Sequence, residues 1–462
     1  VDALSLWGDW LGFAKNSFPV GHVSGKTVFG LCLLWTKPIR RKLKGCGGIV
    51  MDRIIASLLE TDQYKFNMGQ VAFSQYASMI TTWRYKCRNA GVVFTQEMCE
   101  EINHQIDLYC TLSFSKEELA LLKARIPWLS QSYLQYLRLW HPLRDQIHCS
   151  LGEDGHLDLW AEGPWCQTIY YEVPLLAIVN EVYFRFAYPS DAYKKLEVSL
   201  YQRLTEKIQA LQSGRYVIGA FSEFGMRRRF SALTQYDIVK TFADLQKQGA
   251  LGANTFIGTS NVYLAGRLGI KAVGTMAHEA IEVIGQGDPA KNPAYSNKFM
   301  MDAWHDEFGL LNGIYLTDCI GTKCCLLDLD DTECRLWDGF RHDSGDPVVW
   351  GNMMIEHLSK HHIDPMTKTL LFSDNLDFER AAMLYAAFKN KAKVAFGIGT
   401  YIANDTDVPP LNEVMKVIKV DGRPVAKISD TQGKTMCEDP SYVDYLRRAI
   451  EWRLANEGKV IV

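Results

Sequence analysis

The sequence predicts an α/β protein: a β/α barrel beside an α+β N-terminal domain that the C-terminal segment completes. Three observations lead there. Up to about residue 205, helical and strand-like spacings mix. After residue 213, short apolar runs recur, each ending in small or polar residues and most separated by a helical stretch. From about residue 405 the chain turns strand-like again.

Residues 1–50 form an N-terminal extension of different character. A short apolar stretch, Thr27 to Trp35, precedes the basic run "KPIRRKLK". That order is the reverse of a secretory signal, and the stretch is too short to cross a bilayer. Met51 reads as the natural start. In the N-terminal domain, 51–205, "DRIIASLLETDQYKFNMGQVAFSQY" has helical spacing with a Thr-Asp turn in its middle. "TTWRYKCR" and "HLDLWAEGP" alternate like strands. "EVPLLAIVNEVYFRFAY" reads as a long apolar helix with Pro174 in its first turn, and "DAYKKLEVSLYQRLTEKIQAL" as an amphipathic one.

The barrel domain, 206–404, holds seven strand-like runs: "RYVIGAFSEFG", "ANTFIGTSN", "IKAVGTMAHE", "GIYLTDCIGT", "WDGFRHDSGD", "TLLFSDN" and "KVAFGIGT". Helical stretches such as "NVYLAGRLG" and "LDFERAAMLYAAFKN" lie between them. Strand–helix alternation implies parallel strands joined by right-handed crossovers, and seven units predict a closed or nearly closed barrel. The C-terminal segment, 405–462, carries "EVMKVIKVDGRPVAKISD" with an Asp-Gly hairpin signal and is expected to pack back on the N-terminal domain.

Composition narrows the function. The 462 residues are 47% apolar and 12% aromatic, with a net charge of −3. That balance argues against nonspecific nucleic-acid binding, so any anionic substrate must meet local basic clusters. Twelve scattered cysteines without a C-x-x-C pair predict reduced thiols and a cytoplasmic protein. No apolar run approaches the ~20 residues of a membrane helix.

In a β/α barrel the site lies at the C-terminal ends of the strands. Those ends carry Ser222, Glu223, Thr259, Ser260, His278, Asp318, Asp343, Asp374 and the Gly397/Gly399 turn. "FGMRRRFS" concentrates three arginines at one such end, suited to carboxylate or phosphate. "FGIGT" and "GTSN" offer small-residue turns whose amides can close around phosphate. Asp318, Asp343 and Asp374 suit ribose hydroxyls, or Mg²⁺ held through pyrophosphate. His278 alone reads as a packed or reactive histidine.

Taken in order, "LLETDQYKFNM", "GPW…YEVPLLA", "FGMRRRFS", "GTSNVYLAGRLGIKAVGTMAHE", "LTDCI", "RHDSGDP", "FSDNLD" and "FGIGT" resemble nicotinate phosphoribosyltransferases of the bacterial type, over about residues 51–445. The resemblance implies an irregular β/α barrel beside an α/β N-terminal domain. It implies the joining of nicotinate to phosphoribosyl pyrophosphate, coupled to ATP hydrolysis and assisted by Mg²⁺. Phe224 and Tyr64 would sandwich the ring, Tyr64 coming from a second subunit, which implies a homodimer with shared sites. Arg227 would bind phosphate or the nicotinate carboxylate, with Arg228 and Arg229 assisting or pairing with surface acids. Arg341 and Asp343 would approach phosphates and ribose hydroxyls, and Asp318 ribose or Mg²⁺. Gly397, Gly399 and Thr400 would cradle the 5′-phosphate beside Ser373 and Asp374, and Thr259 and Ser260 would touch substrate. His278 matches the phosphorylated histidine, and Glu279 would orient its imidazole. Met226 and Met276 depart from the family, standing where many relatives carry Thr or Gln. The rival readings are a nicotinamide phosphoribosyltransferase, which the arginine cluster disfavours, and a metal-dependent barrel hydrolase or aldolase built on His278 and the aspartates.

Overall fold

The computed structural model describes residues 53–457 apart from 189, 190, 253, 254, 310, 312, 432–434 and 436. The expected extension over residues 1–50 and the start at Met51 lie outside the described residues. Two sheets organise the chain. The first is antiparallel, with β1 (Ile80–Cys87), β2 (Ile147–Leu151) and β3 (Leu157–Pro164) from the N-terminal part. The second is parallel, built from β4 (Ala220–Glu223), β5 (Phe256–Thr259), β6 (Lys271–Ala272), β7 (Ile314–Leu316), β8 (Gly339–His342), β9 (Thr369–Phe372) and β10 (Lys393–Ile398). All seven expected barrel runs contribute a strand. The C-terminal segment adds β11 (Glu413–Val420) and β12 (Arg423–Pro424) to the first sheet.

The parallel sheet runs β6-β5-β4-β10-β9-β8-β7. That is the cyclic order of a barrel: β10, the last strand, closes onto β4, the first. The ring is interrupted between β6 and β7, so the barrel is a curled, open one. β6 spans only two residues, which leaves little edge for β7 to pair with. Aromatic packing fills the space between sheet and helices. The Phe221 ring on β4 lies 5.2 Å from Phe242, 5.3 Å from Phe256 and 5.3 Å from Phe378.

In the other sheet the order is β12-β11-β1-β3-β2. β11 pairs with β1 in antiparallel register from Thr81 opposite Val420 to Cys87 opposite Glu413. The Asp-Gly turn forms the expected hairpin: Asp421 and Gly422 take φ of 47° and 73°, the doubly left-handed geometry of a tight β-turn. The helix Pro440–Glu457 that follows packs elsewhere, sharing a core of Ala294, Ile320, Cys324 and Ala426 through Val443, Leu446 and Ile450.

One element differs from expectation. Residues 53–61 are irregular, and the helix begins at Gln63 and runs to Gln75. Tertiary partners take the backbone groups that a helix would have used. Ile54 N–H donates to Gln105 Oε1 at 2.9 Å, and Ile54 C=O accepts from Arg229 Nη2 at 2.7 Å. Among the described residues no helix is long and apolar enough to cross a membrane.

Candidate active site

The start of the helix Gln63–Gln75 is pinned to the end of β5. Gln63 N–H donates to the Ser260 carbonyl at 2.8 Å, and Ser260 Oγ donates to Asp62 Oδ1 at 2.6 Å. This docking brings Asp62 and Tyr64 to the barrel mouth. There they line one cavity with Phe224, Arg227, Ser260, Gly274 and Arg341. Tyr64 and Phe224 thus meet within a single chain. The Tyr64 that lines this cavity stands on the N-terminal helix of the same chain, where the resemblance implies a tyrosine from a second subunit.

The three consecutive arginines part company, because the one-turn helix Met226–Arg228 sends each in a different direction. Arg227 is partly exposed to the cavity and donates from Nη1 to Glu172 Oε1 at 3.1 Å. Arg228 Nη2 donates to the Glu413 carbonyl at 2.7 Å, tying the turn to β11. Arg229 is buried, donating from Nη1 to Glu60 Oε2 at 2.7 Å, and it braces residues 53–61. Glu223 shapes the preceding turn: it accepts from Gly225 N–H at 2.6 Å and from Thr259 Oγ1 at 2.6 Å. Thr259 is therefore buried and spent on Glu223, while Ser260 lines the cavity.

A second cluster adjoins the cavity through Arg341. Its guanidinium donates to Ser373 Oγ (2.8 Å), Thr275 Oγ1 (3.0 Å), the Met276 carbonyl (3.2 Å) and Asp343 Oδ1 (2.8 Å). Ser373 Oγ also donates to Asp343 Oδ1 at 2.9 Å. Met276 thus serves through its backbone. Met226 is a buried packing residue whose sulfur lies 3.0 Å from Asn261 Nδ2.

His278 opens the helix His278–Gln286 after β6, and Asp318 follows β7, so the two face each other across the interruption in the sheet. His278 Nε2 lies 2.9 Å from Asp318 Oδ1 and 3.9 Å from Asp343 Oδ2. The other Asp318 oxygen accepts from Ser344 Oγ and pairs with Lys427 Nζ, the latter at 2.8 Å. Burial, then the Lys427 ammonium, push the imidazole pKa down to about 4 against the pull of Asp318. Burial would raise the Asp318 carboxyl, but His278 and Lys427 hold it well below the usual carboxylate range. An ionised Asp318 beside a neutral imidazole fixes the tautomer: Nε2–H donates, and the lone pair resides on Nδ1.

Ligand atoms of His278, Asp318 and Asp343 fall within 4.8 Å of one another, as a metal site requires. The donor set nonetheless disfavours a hydrolase-type metal. Lys427 already supplies the cation at Asp318, and both Asp318 oxygens are engaged. Asp343 fits a looser role. Its Oδ1 is taken by Arg341 and Ser373, while Oδ2 points toward His278. One carboxylate oxygen suits a Mg²⁺ carried mainly by substrate phosphates.

Glu279 does not orient the imidazole; Asp318 does. The Glu279 side chain runs to the buried Lys65 ammonium, which also lies 2.8 Å from Glu172 Oε2. Successive helical residues point about 100° apart, so Glu279 faces the N-terminal helix when His278 faces β7. Gly397 seats the Phe224 ring. A Cβ there would stand 2.4 Å from Phe224 Cδ2, so the residue is fixed by close approach and not by an open cradle. Gly399 and Thr400 form the half-buried turn beyond β10, and Asp374 is half-buried beside Ser373 after β9. Sequence reading missed Asp62, Lys65, Glu172, Ser344 and Lys427 as site residues. Asp62 and Lys65 lie inside "LLETDQYKFNM", Glu172 inside "YEVPLLA" and Ser344 inside "RHDSGDP". Lys427 reaches the site from the segment that follows β12, and nothing in its local sequence marks it.

Two family models match the chain: the nicotinate phosphoribosyltransferase N-terminal domain over residues 59–180, and the nicotinate phosphoribosyltransferase family over residues 220–453. Nicotinate phosphoribosyltransferase from Xylella fastidiosa (strain 9a5c) is 42% identical over 402 residues, covering 86% of this chain and 98% of that protein. The enzyme of the same name from Cupriavidus necator is 39% identical, covering 86% and 98%. Among solved structures, nicotinate phosphoribosyltransferase from Vibrio cholerae superposes with a TM-score of 0.79 at 31% identity, covering 86% of this chain and 94% of that one. That from Porphyromonas gingivalis gives 0.77 at 29%, covering 86% and 100%.

Proposed function

The chain belongs to the nicotinate phosphoribosyltransferase family, and we propose that it joins nicotinate to 5-phosphoribosyl 1-pyrophosphate in the cavity between Tyr64, Phe224, Arg227 and Arg341. The observation that carries this reading is the pairing of two aromatic rings with two guanidinium groups around one space. Rings hold a flat heterocycle, and a guanidinium fork, assigned to Arg227, matches its carboxylate. The pyridine nitrogen bonds to ribose C1 as the C1–O bond to pyrophosphate breaks, releasing nicotinate mononucleotide and pyrophosphate. The neutral nitrogen is a weak nucleophile, so orientation and stabilisation of the departing pyrophosphate supply the rate.

Arg341, held by Thr275, Ser373 and Asp343, faces the phosphates, and Ser373, Asp374, Gly399 and Thr400 are assigned to the ribose 5′-phosphate end. Asp343 would hold Mg²⁺, which neutralises pyrophosphate charge when bound. His278 is assigned as phosphoryl carrier. Its neutral imidazole attacks the ATP γ-phosphorus through Nδ1 as the bond to the β,γ-bridging oxygen breaks and ADP leaves. Water later takes the phosphoryl group as orthophosphate. The depressed His278 pKa and the Asp318 partner support this role. The homodimer expected from the resemblance belongs to this proposal, with both aromatics of each cavity drawn from one chain. So does a cytoplasmic location, which the free thiols of the described cysteines fit.

The test is an assay of nicotinate mononucleotide from nicotinate and phosphoribosyl pyrophosphate, with and without ATP. Synthesis is expected with nicotinate and is stimulated by ATP. Preference for nicotinamide, or turnover of neither, overturns the reading.

A further inference from the structure

We propose that Lys65 sets the cavity's preference for a carboxylate, as a positioning residue that acts through Glu172 on Arg227. The inference rests on the reading of Arg227 as the partner of the nicotinate carboxylate. The geometry is a chain of ions. Arg227 Nη1 lies 3.1 Å from Glu172 Oε1, and the other Glu172 oxygen lies 2.8 Å from Lys65 Nζ. Lys416 Nζ is 3.5 Å from Glu172 Oε1, and Lys65 also bonds Glu279.

A carboxylate beside the substrate-facing arginine is a competitor. Left alone, Glu172 would satisfy Arg227 and cancel its charge, and the cavity would lose its pull on an anion. Lys65 prevents this by sharing Glu172. It is fully buried, with its ammonium 5.0 Å from the Trp83 ring centroid, so it cannot swing away into solvent. Because Lys65 follows Tyr64 directly, one helix turn carries both the ring wall and the compensating charge. A merely structural ion cluster would explain the burial. It would not explain why the shared carboxylate is the one hydrogen-bonded to Arg227, whose other acidic neighbour, Asp62, stands 3.9 Å from Nε.

Removing Lys65 alone strands two buried carboxylates and threatens folding. The variant for the test is therefore Lys65→Met with Glu279→Gln, which removes one charge of each sign. The KM for nicotinate is expected to rise about tenfold, while the KM for phosphoribosyl pyrophosphate stays put. In an Arg227→Gln background that rise should vanish. Glu279→Gln alone, which leaves Lys65 entirely to Glu172, should lower the nicotinate KM or leave it unmoved. Equal rises in both KM values, a rise of the same size without Arg227, or a raised nicotinate KM in Glu279→Gln each overturn the inference. If Arg227→Gln raises the nicotinate KM but the Lys65→Met pair does not, the inference falls and the reading of Arg227 stands. If Arg227→Gln leaves the nicotinate KM unmoved, both fall.

Discussion

His278 shows how much one side chain depends on its neighbours. In water an imidazole is partly protonated near neutrality; here burial pushes its pKa down to about 4. The sign of the linkage follows. The unfolded chain takes up the proton near 6.5 and the folded chain only near 4, so stability is lost as pH falls through that window. Above it the ring is neutral and nucleophilic. His278→Ala is expected to abolish stimulation by ATP while leaving some ATP-independent synthesis of nicotinate mononucleotide, read by product formation with and without the nucleotide. ATP stimulation that persists in the variant removes the phosphoryl-carrier role. The arginines make the complementary point. Their basic run was legible as a candidate anion site. That Arg227 alone faces the cavity while Arg229 braces residues 53–61 was not, because adjacent residues of equal chemistry are told apart only by the direction their backbone gives them.

At the scale of elements, the strands were the most legible part. Each barrel run ended in small or polar residues because that end is the mouth, and all seven became strands. Residues 53–61 kept a helical apolar spacing without becoming a helix, since that spacing records burial and not hydrogen bonding. β11 gives a test of its own. Glu413 is buried, accepts from Tyr85 Oη at 3.0 Å, and has its pKa pushed up to about 8 by burial. Its folded pKa lies above the unfolded one, so its contribution is present below about 4.5 and is lost as pH rises through about 8. Glu413→Gln keeps the shape without the proton. It is expected to gain on the parent chain as pH rises, by roughly 2–4 kcal/mol at pH 8, read as Tm across a pH series. A constant difference across that range would exclude a neutral Glu413.

For the whole described molecule, the barrel's interruption is the central feature. Where β6 and β7 fail to pair, His278 and Asp318 meet across the break, and Lys427 from the C-terminal segment locks Asp318 in place. The segment after β12 is thereby part of the site, and the last helix anchors it further. Arg453 is buried and grips Asp328 through Nη2 at 2.6 Å and Nη1 at 3.0 Å. Arg453→Ala leaves Asp328 buried without its cation and should cost about 3–5 kcal/mol, read by chemical denaturation. A loss below about 1 kcal/mol would show that the helix holds without this pair.

The sequence by itself determined the fold class, the seven strands, the family and the strand-end residues, because periodicity and ordered motifs are local signals. Tertiary structure decided which of those residues act together. It spent Thr259 on Glu223 and Glu279 on Lys65, gave the imidazole to Asp318, and placed Tyr64 with Phe224 in one chain. It also brought Lys427 to the site from beyond the barrel. Charges far apart in the chain are paired only by packing, and that pairing is what sets each group's ionisation and direction.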